Sequence, residues 1–280
     1  MSMSMSSKDE FLFLKSGLDR LYGSLHYPGD GIKDNKIGYV LCQPFVTEQF
    51  KVYRILYNLC RYLADEGFTM LRFDYLGTGD SEGEFEGVDV NDWKKNVINA
   101  FNFMKDRRNL SRIGLIGCRL GSVWAALAAE SLGSEVFRLA LWDPVFDVHA
   151  YLYNQLRGNL SEQMIMYGKV VENREKLVER IESGQIVSVG GYEFAKGFYH
   201  SATKINILDN PPRLLTDLIV MKSASQSKEE NTDDFKFLKI YQPDSNPSDI
   251  KLLPKEVNWE LSKGYITFPE QTFRCIADSL

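Results

Sequence analysis

The stretch Ile113-Gly114-Leu115-Ile116-Gly117-Cys118-Arg119-Leu120-Gly121-Ser122 decides how this chain is read. Residues 113–116 have the apolar, β-branched character of a short buried strand, and Ser122-Val123-Trp124-Ala125-Ala126-Leu127-Ala128-Ala129-Glu130 opens an alanine-rich helix. A strand that passes into a helix through so short a link needs a sharp, strained bend. The positions two before and two after its apex must be small, because a β-carbon there would collide with the neighbouring strand or helix. Only Arg119 as apex meets this condition. Centring the bend on Cys118 puts Ile116 and Leu120 at the tight positions, and centring it on Ser122 puts Leu120 and Trp124 there. The crest of the bend therefore carries a cation.

Working outward, residues 11–14 and 21–27 read as an antiparallel opening pair, followed after Gly29-Asp30-Gly31 by a buried strand over 37–42. Helices and strands then alternate: a helix over 50–66, a strand over 69–73, a helix over 90–105, the bend with its strand and helix, and a strand over 137–142. Such alternation implies a mostly parallel sheet with helices on both faces. From 148 to 183 the pattern becomes helical and charge-laced, and residues 186–189, Gly190-Gly191-Tyr192 and a helix over 193–202 complete an insertion. Residues 218–221 resume the sheet, a polar loop over 223–234 leads into a short helix, and a last strand spans 250–257. Residues 268–280 close as an amphipathic helix with Phe273, Ile276 and Leu280 on one side. The expected organisation is a disordered tail over 1–10, a first core part over 11–147, a helical lid over 148–210 and a second core part over 211–280.

Composition narrows the functional classes. The 280 residues are 44% hydrophobic and 25% charged, as expected of a globular protein with a substantial core. A net charge of -5 lacks the basic bias of a nucleic-acid binder. No apolar run approaches the roughly 20 residues that cross a bilayer, so neither nucleic acid nor membrane is an expected partner. The start Met1-Ser2-Met3-Ser4-Met5-Ser6-Ser7 has no basic head or apolar stretch, and a cytoplasmic location is expected. Cys42, Cys60, Cys118 and Cys275 are widely spaced and read as reduced thiols, with no metal-ligand cluster. No nucleotide fingerprint is present either, and no cofactor is expected.

After the second parallel strand, Asp74-Tyr75-Leu76-Gly77-Thr78-Gly79-Asp80-Ser81-Glu82-Gly83 packs three glycines into one loop. Lacking the lysine of a P-loop and not opening into a helix, it reads as a turn held by Asp74 and Asp80. This loop, the bend and the insertion together resemble the α/β-hydrolase superfamily, in its serine-aminopeptidase-like branch. There the bend is the nucleophile elbow, written Gly-x-Ser-x-Gly. A closer resemblance is to the exosortase system-associated hydrolases of the second ortholog class. It rests on Gln43-Pro44-Phe45-Val46-Thr47-Glu48, residues 71–81, Gly117-Cys118-Arg119-Leu120-Gly121, Leu141-Trp142-Asp143-Pro144-Val145, Gly191-Tyr192-Glu193 and Asn258-Trp259-Glu260. That family also places arginine at the elbow. It has a glutamate pair where this chain has Thr47-Glu48, and Phe-Trp-Gln where this chain has Asn258-Trp259-Glu260. The resemblance implies an α/β-hydrolase fold, with a mostly parallel central sheet, helices on both faces and a helical lid.

A serine-type triad needs a nucleophile at the elbow, a histidine after the last strand and an acid after a later strand. Only the acid, Asp143, is found. His26 lies in the opening hairpin, His149 enters the insertion and His200 lies within it. Arg119 sits at a helix N-terminus, where a cation is disfavoured by roughly 0.3–1 kcal/mol, so it should have an anionic neighbour. Asp143 is the first choice, with Glu48 and Glu260 as alternatives. The result is either a permanent internal ion pair filling the old pocket, or a site in which Arg119 binds an anionic or carbonyl ligand beneath the lid. In the latter case it would act with backbone N–H groups of the elbow and of the Phe45-Val46 turn, and Tyr192, Trp259 and Glu260 would join Glu48 and Asp143 around the ligand. Cys118, beside the apex, is a displaced nucleophile only if its side chain reaches the crest. Three functions stay open: a non-catalytic or atypical homologue binding a small ligand or partner; a hydrolase or acyltransferase working through Cys118, or through Asp143 or Glu48 with a bound water; and an accessory subunit of a biosynthetic pathway.

Overall fold

A computed structural model describes residues 7–107, 109–223, 232–259 and 268–280, and of Val46 the backbone. The chain begins with the hairpin β1 (Lys8–Ser16) and β2 (Asp19–Tyr27). There follow β3 (Ile37–Cys42), α1 (Val46–Asp65), β4 (Thr69–Phe73), α2 (Val90–Arg107), β5 (Arg112–Cys118), α3 (Gly121–Leu132) and β6 (Val136–Trp142). An insertion holds α4 (Val148–Gln155), α5 (Arg157–Tyr167), α6 (Arg174–Glu182), the hairpin β7 (Val187–Val189) and β8 (Tyr192–Phe194), and α7 (Lys196–Ala202). The chain then returns through β9 (Asp217–Ser223), α8 (Asp233–Tyr241), β10 (Lys251–Leu253) and α9 (Glu270–Ser279).

Among the described residues, eight strands form one sheet in the order β1-β2-β4-β3-β5-β6-β9-β10. β1 and β2 join it antiparallel, and from β4 onward every pairing is parallel. This is the α/β-hydrolase fold. Strand side chains alternate between two cores. Val40, Leu115, Leu139 and Leu141 pack with α2 and α3 on one face, while Tyr39, Leu41, Ile116, Ala140 and Trp142 pack with α1 and α9 on the other. The alanines of α3 at 125, 126, 128 and 129 are fully buried, so this helix lies close on the sheet and holds the bend ahead of it fixed.

Several sequence expectations are corrected at their edges. Lys8, Asp9 and Glu10 pair in β1, which shortens the expected tail, while residues 1–6 lie outside those described. α1 starts at Val46 instead of residue 50, because its first turn, Thr47-Glu48-Gln49, turns toward the site and adds nothing to the apolar periodicity. The helix expected over 193–202 begins only at Lys196, because 193 and 194 belong to β8, joined to β7 by the two-residue turn of Gly190 and Gly191, both at positive φ. The last strand is only three residues long, because Pro254 has no N–H to continue the ladder. Most of the polar loop, residues 224–231, lies outside the described residues.

Candidate ligand-binding site

The bend keeps the strained geometry of an elbow although its apex is arginine. Arg119 has φ 53, in the left-handed region that costs an L-residue about 1–2 kcal/mol. The flanking glycines show why the residue pattern is required. A Cβ on Gly121 would lie 2.3 Å from the carbonyl oxygens of Cys42 and Gln43, and one on Gly117 would lie 2.5 Å from Ser122 Cα. The backbone is pinned by Arg119 N–H donating to the Trp142 carbonyl at 3.0 Å. Ser122 is not a spare nucleophile, since its hydroxyl donates to the Arg119 carbonyl and accepts from Val145 N–H at 3.2 Å.

The anionic partner of Arg119 is Glu48, not Asp143. Glu48 Oε1 accepts from Arg119 Nε at 3.3 Å and from Nη2 at 3.2 Å, while Nη1 donates to the Asp143 backbone carbonyl at 3.3 Å. The Asp143 carboxylate faces the other way. Its backbone is also left-handed, at φ 45, and it accepts from Ser223 N–H at 2.8 Å and from Trp259 Nε1 at 2.8 Å. Trp259 follows the final strand, where a serine-type triad carries its histidine, and its indole makes the bond to the acid that an imidazole would make. It packs edge-on against Trp142 with ring centroids 4.8 Å apart. His26 is buried between Asp9 and Ser24, His149 stacks on Tyr153 and His200 pairs with Glu182, so none of the three reaches Asp143.

Burial raises the Glu48 carboxyl above its ordinary range, against the opposing pull of Arg119 and Tyr151. For Arg119, burial is the largest influence and works against the charge, but Glu48, Tyr151 and Asp143 together outweigh it and the guanidinium is raised further. Cys118 is fully buried in the core on the α1 face, and burial pushes its thiol well above the ordinary value. The idea of a displaced nucleophile is thereby corrected: alternation along β5 sends the side chain into the sheet's flank, not to the crest.

The ion pair does not fill the old pocket. A cavity of about 670 Å³ opens against it, between the start of α1 and the insertion. Of the residues expected around a ligand, Arg119, Glu48 and Tyr192 line this cavity. Phe45 does not, being fully buried and stacked on Phe198 at 5.9 Å in a cluster with Phe85, Trp93 and Phe194 that seals the insertion onto the core. Asp143 and Trp259 lie buried behind the elbow, also outside the lining. Val46 is the first residue of α1, where the first-turn N–H groups have no helical acceptor. Glu260 lies outside the described residues. Sequence reasoning missed Thr47, Lys51, Tyr151, Gln155 and Arg157. The signal for part of this wall was present: Tyr151, Asn154, Gln155 and Gly158 follow the i, i+3, i+4, i+7 spacing of one helical face.

The acids of the glycine loop do structural work. Asp74 Oδ1 accepts from Gln43 Nε2 at 2.9 Å and Gln49 Nε2 at 2.8 Å, and its Oδ2 accepts from Asp80 N–H at 3.1 Å. A Cβ on Gly79 would lie 2.1 Å from that oxygen. Among the described residues, no group of His, Cys, Asp and Glu is placed to hold a metal, and no helix is long and apolar enough to cross a membrane.

Comparison with known proteins agrees with this geometry. The family model described as serine aminopeptidase, S33, matches residues 50–186. Est1E from Butyrivibrio proteoclasticus is similar at TM-score 0.62 and 14% identity, over 96% of this chain and 96% of that one. A hypothetical protein from Pseudomonas aeruginosa is similar at TM-score 0.62 and 14% identity, over 100% of this chain and 94% of its own. An esterase from Pyrococcus furiosus gives TM-score 0.58 and 15% identity, over 99% and 92%. No curated protein matches. The fold is that of the α/β-hydrolases, and the family match supports a place in that superfamily.

Proposed function

We propose that this chain is a non-acylating α/β-hydrolase homologue that binds a small ligand with a carbonyl or anionic group at Arg119, beneath the insertion. One observation carries the reading: an open cavity lies against an elbow whose nucleophile is replaced by an ion-paired arginine, while an indole occupies the acid where a base would sit. The names serine aminopeptidase and esterase imply chemistry that starts with a hydroxyl and an imidazole. This site offers a guanidinium, a carboxylate and helix N-termini in their place. The likeness to exosortase-associated hydrolases belongs to the same proposal, as does a cytoplasmic setting, which the four free cysteines support.

The test is activity-based labelling together with ligand screening. A fluorophosphonate should leave the protein unlabelled, and neutral-pH iodoacetamide should find no hyper-reactive Cys118. A panel of small carbonyl compounds and carboxylates should contain members that raise the melting temperature of the native chain and fail to do so in Arg119→Ala. Rapid, saturable labelling by either probe would replace this reading with that of a hydrolase or acyltransferase using unusual residues. A second reading, an accessory subunit docking another protein, is favoured by the exposed run Met164, Ile165, Met166 and Tyr167 at the end of α5. It predicts a stoichiometric partner co-purifying from the native host and lost on Ile165→Asp.

A further inference from the structure

The two edges of the central sheet differ. β10 offers three residues at one end, while β1 offers nine at the other, paired to β2 without a break from Lys8 to Ser16. Natural edge strands are commonly blunted by brevity, proline or a bulge, and β1 has none of these. The hydrogen bonds of β2 fix which backbone groups of β1 face outward. The Arg20 carbonyl accepts from Glu82 N–H at 3.0 Å and the Tyr22 carbonyl from Asp74 N–H at 2.9 Å, while the N–H groups of Arg20 and Tyr22 donate to Glu82 Oε2 and Ser81 Oγ. The even-numbered residues of β2 thus turn away from β1, and its odd-numbered residues bond the even-numbered residues of β1 that stand opposite them. Asp9, Phe11, Phe13 and Lys15 are left to present N–H and C=O at the free edge. Ser7 N–H, next on that side, already donates to Asp65 Oδ1 at 2.8 Å and marks where the open stretch stops.

The side chains of these four residues share one face of the sheet. Phe11 is 57% exposed and Phe13 53%, with Phe13 backed edge-on by Tyr22 at 5.7 Å. Asp9 is held by His26 Nδ1 at 2.8 Å and by the Tyr57 hydroxyl at 2.7 Å, and Arg61 stands 3.7 Å away, beyond hydrogen-bond length. Lys15 is exposed. We propose that β1 pairs antiparallel with β1 of a second copy of this chain, about a two-fold axis at Leu12, so that the two sheets become continuous. In this register Asp9 lies opposite Lys15 of the second copy and Phe11 opposite Phe13, each pairing occurring twice, and every outward N–H and C=O of the four residues finds a partner. A shift by one residue would set outward groups against inward ones. A shift by two would place Phe11 or Phe13 opposite itself, shorten the ladder and break both charge pairs. An edge lysine ordinarily repels a second strand, but here the register sets it against an acid.

The experiment is sedimentation velocity of the full chain, joined to cysteine cross-linking. At about 100 μM the native chain should sediment as a species of two copies. Lys15→Glu sets an acid opposite Asp9 at both ends of the ladder, and Phe11→Glu breaks both aromatic pairs; each should weaken association about 10-fold or more. Both positions are exposed, so the fold of the single copy is kept. Under mild oxidation Leu12→Cys should give a disulfide-linked pair, because a non-hydrogen-bonded pair on the axis brings the two Cα atoms to about 4.5 Å, within disulfide reach. Phe11→Cys and Phe13→Cys should not. A single-copy species at about 100 μM overturns the proposal. So does a two-copy species that either glutamate variant leaves equally tight, since another surface would then hold it. Cross-linking through Phe11→Cys or Phe13→Cys in place of Leu12→Cys overturns the register.

Discussion

If Glu48 and Arg119 form one electrostatic unit, their removal must be non-additive, and the structure sets the size of the effect. The closest approach is 3.2 Å, with the Glu48 side chain 3% exposed and that of Arg119 23% exposed. At an effective dielectric of about 20, such a contact corresponds to a gross attraction of about 5 kcal/mol, much of it offset by desolvation of both ions. Glu48→Gln keeps an amide oxygen as acceptor but leaves the guanidinium without an opposing charge, and should cost about 2–3 kcal/mol, below the range for a fully buried partner. Arg119→Met leaves a carboxylate in a dry wall and should cost about as much at neutral pH. The double variant should lie within about 1 kcal/mol of the native chain, against a sum of about 4–6 kcal/mol for the two single variants, giving a coupling of at least about 3 kcal/mol. Urea unfolding with matched m-values reads these differences. A sign test accompanies them. The Glu48 carboxyl is raised in the folded state, and losing Arg119 raises it further, so stability is lost as pH rises. The Arg119→Met deficit should therefore shrink as pH falls from about 7 toward about 5. Strict additivity of the two single variants, with no pH effect, would refute the unit.

Trp259→Phe removes the N–H that satisfies Asp143 Oδ2 and should lower stability by about 1–3 kcal/mol, read as the urea midpoint; an unchanged midpoint would show that the indole bond is idle. Gly79→Ala combines a positive φ with a methyl 2.1 Å from Asp74 Oδ2, so a loss of at least about 2 kcal/mol is expected by thermal denaturation. A loss below about 0.5 kcal/mol would contradict the packing of that loop. Burial lowers His26 below the ordinary imidazole value of 6.5, so its contribution is complete above that pH and is lost as pH falls through the folded value. The melting temperature of the native chain should drop on acidification below about pH 6.5, and His26→Asn should flatten the slope; parallel curves would exclude His26 as the titrating group.

The fold was legible because its signals are local and repeated. Alternation along β3, β5 and β6 separates two cores, and Gly117 and Gly121 fix the elbow's apex by sterics alone. The site was legible only in part. Arg119 and Asp143 were found because strand ends mark positions. Their expected ion pair fails, because strand order says nothing about which way a carboxylate turns from a left-handed backbone. Glu48 ranked second because the first turn of α1 is polar and looked like loop. The cavity wall from α4 and α5 was hidden for a related reason: its polar face points at empty space, and periodicity analysis looks for faces that point at a core.

The bond between Asp143 and Trp259 bears on the history open to this chain. A serine at 119 would strand the Glu48 carboxylate, and a histidine at 259 would leave a hole against Trp142, so each single exchange carries its own loss of stability. On the proposed non-acylating reading, installing a hydroxyl and an imidazole would have to cross these losses in concert, so the guanidinium and the indole together work as a ratchet.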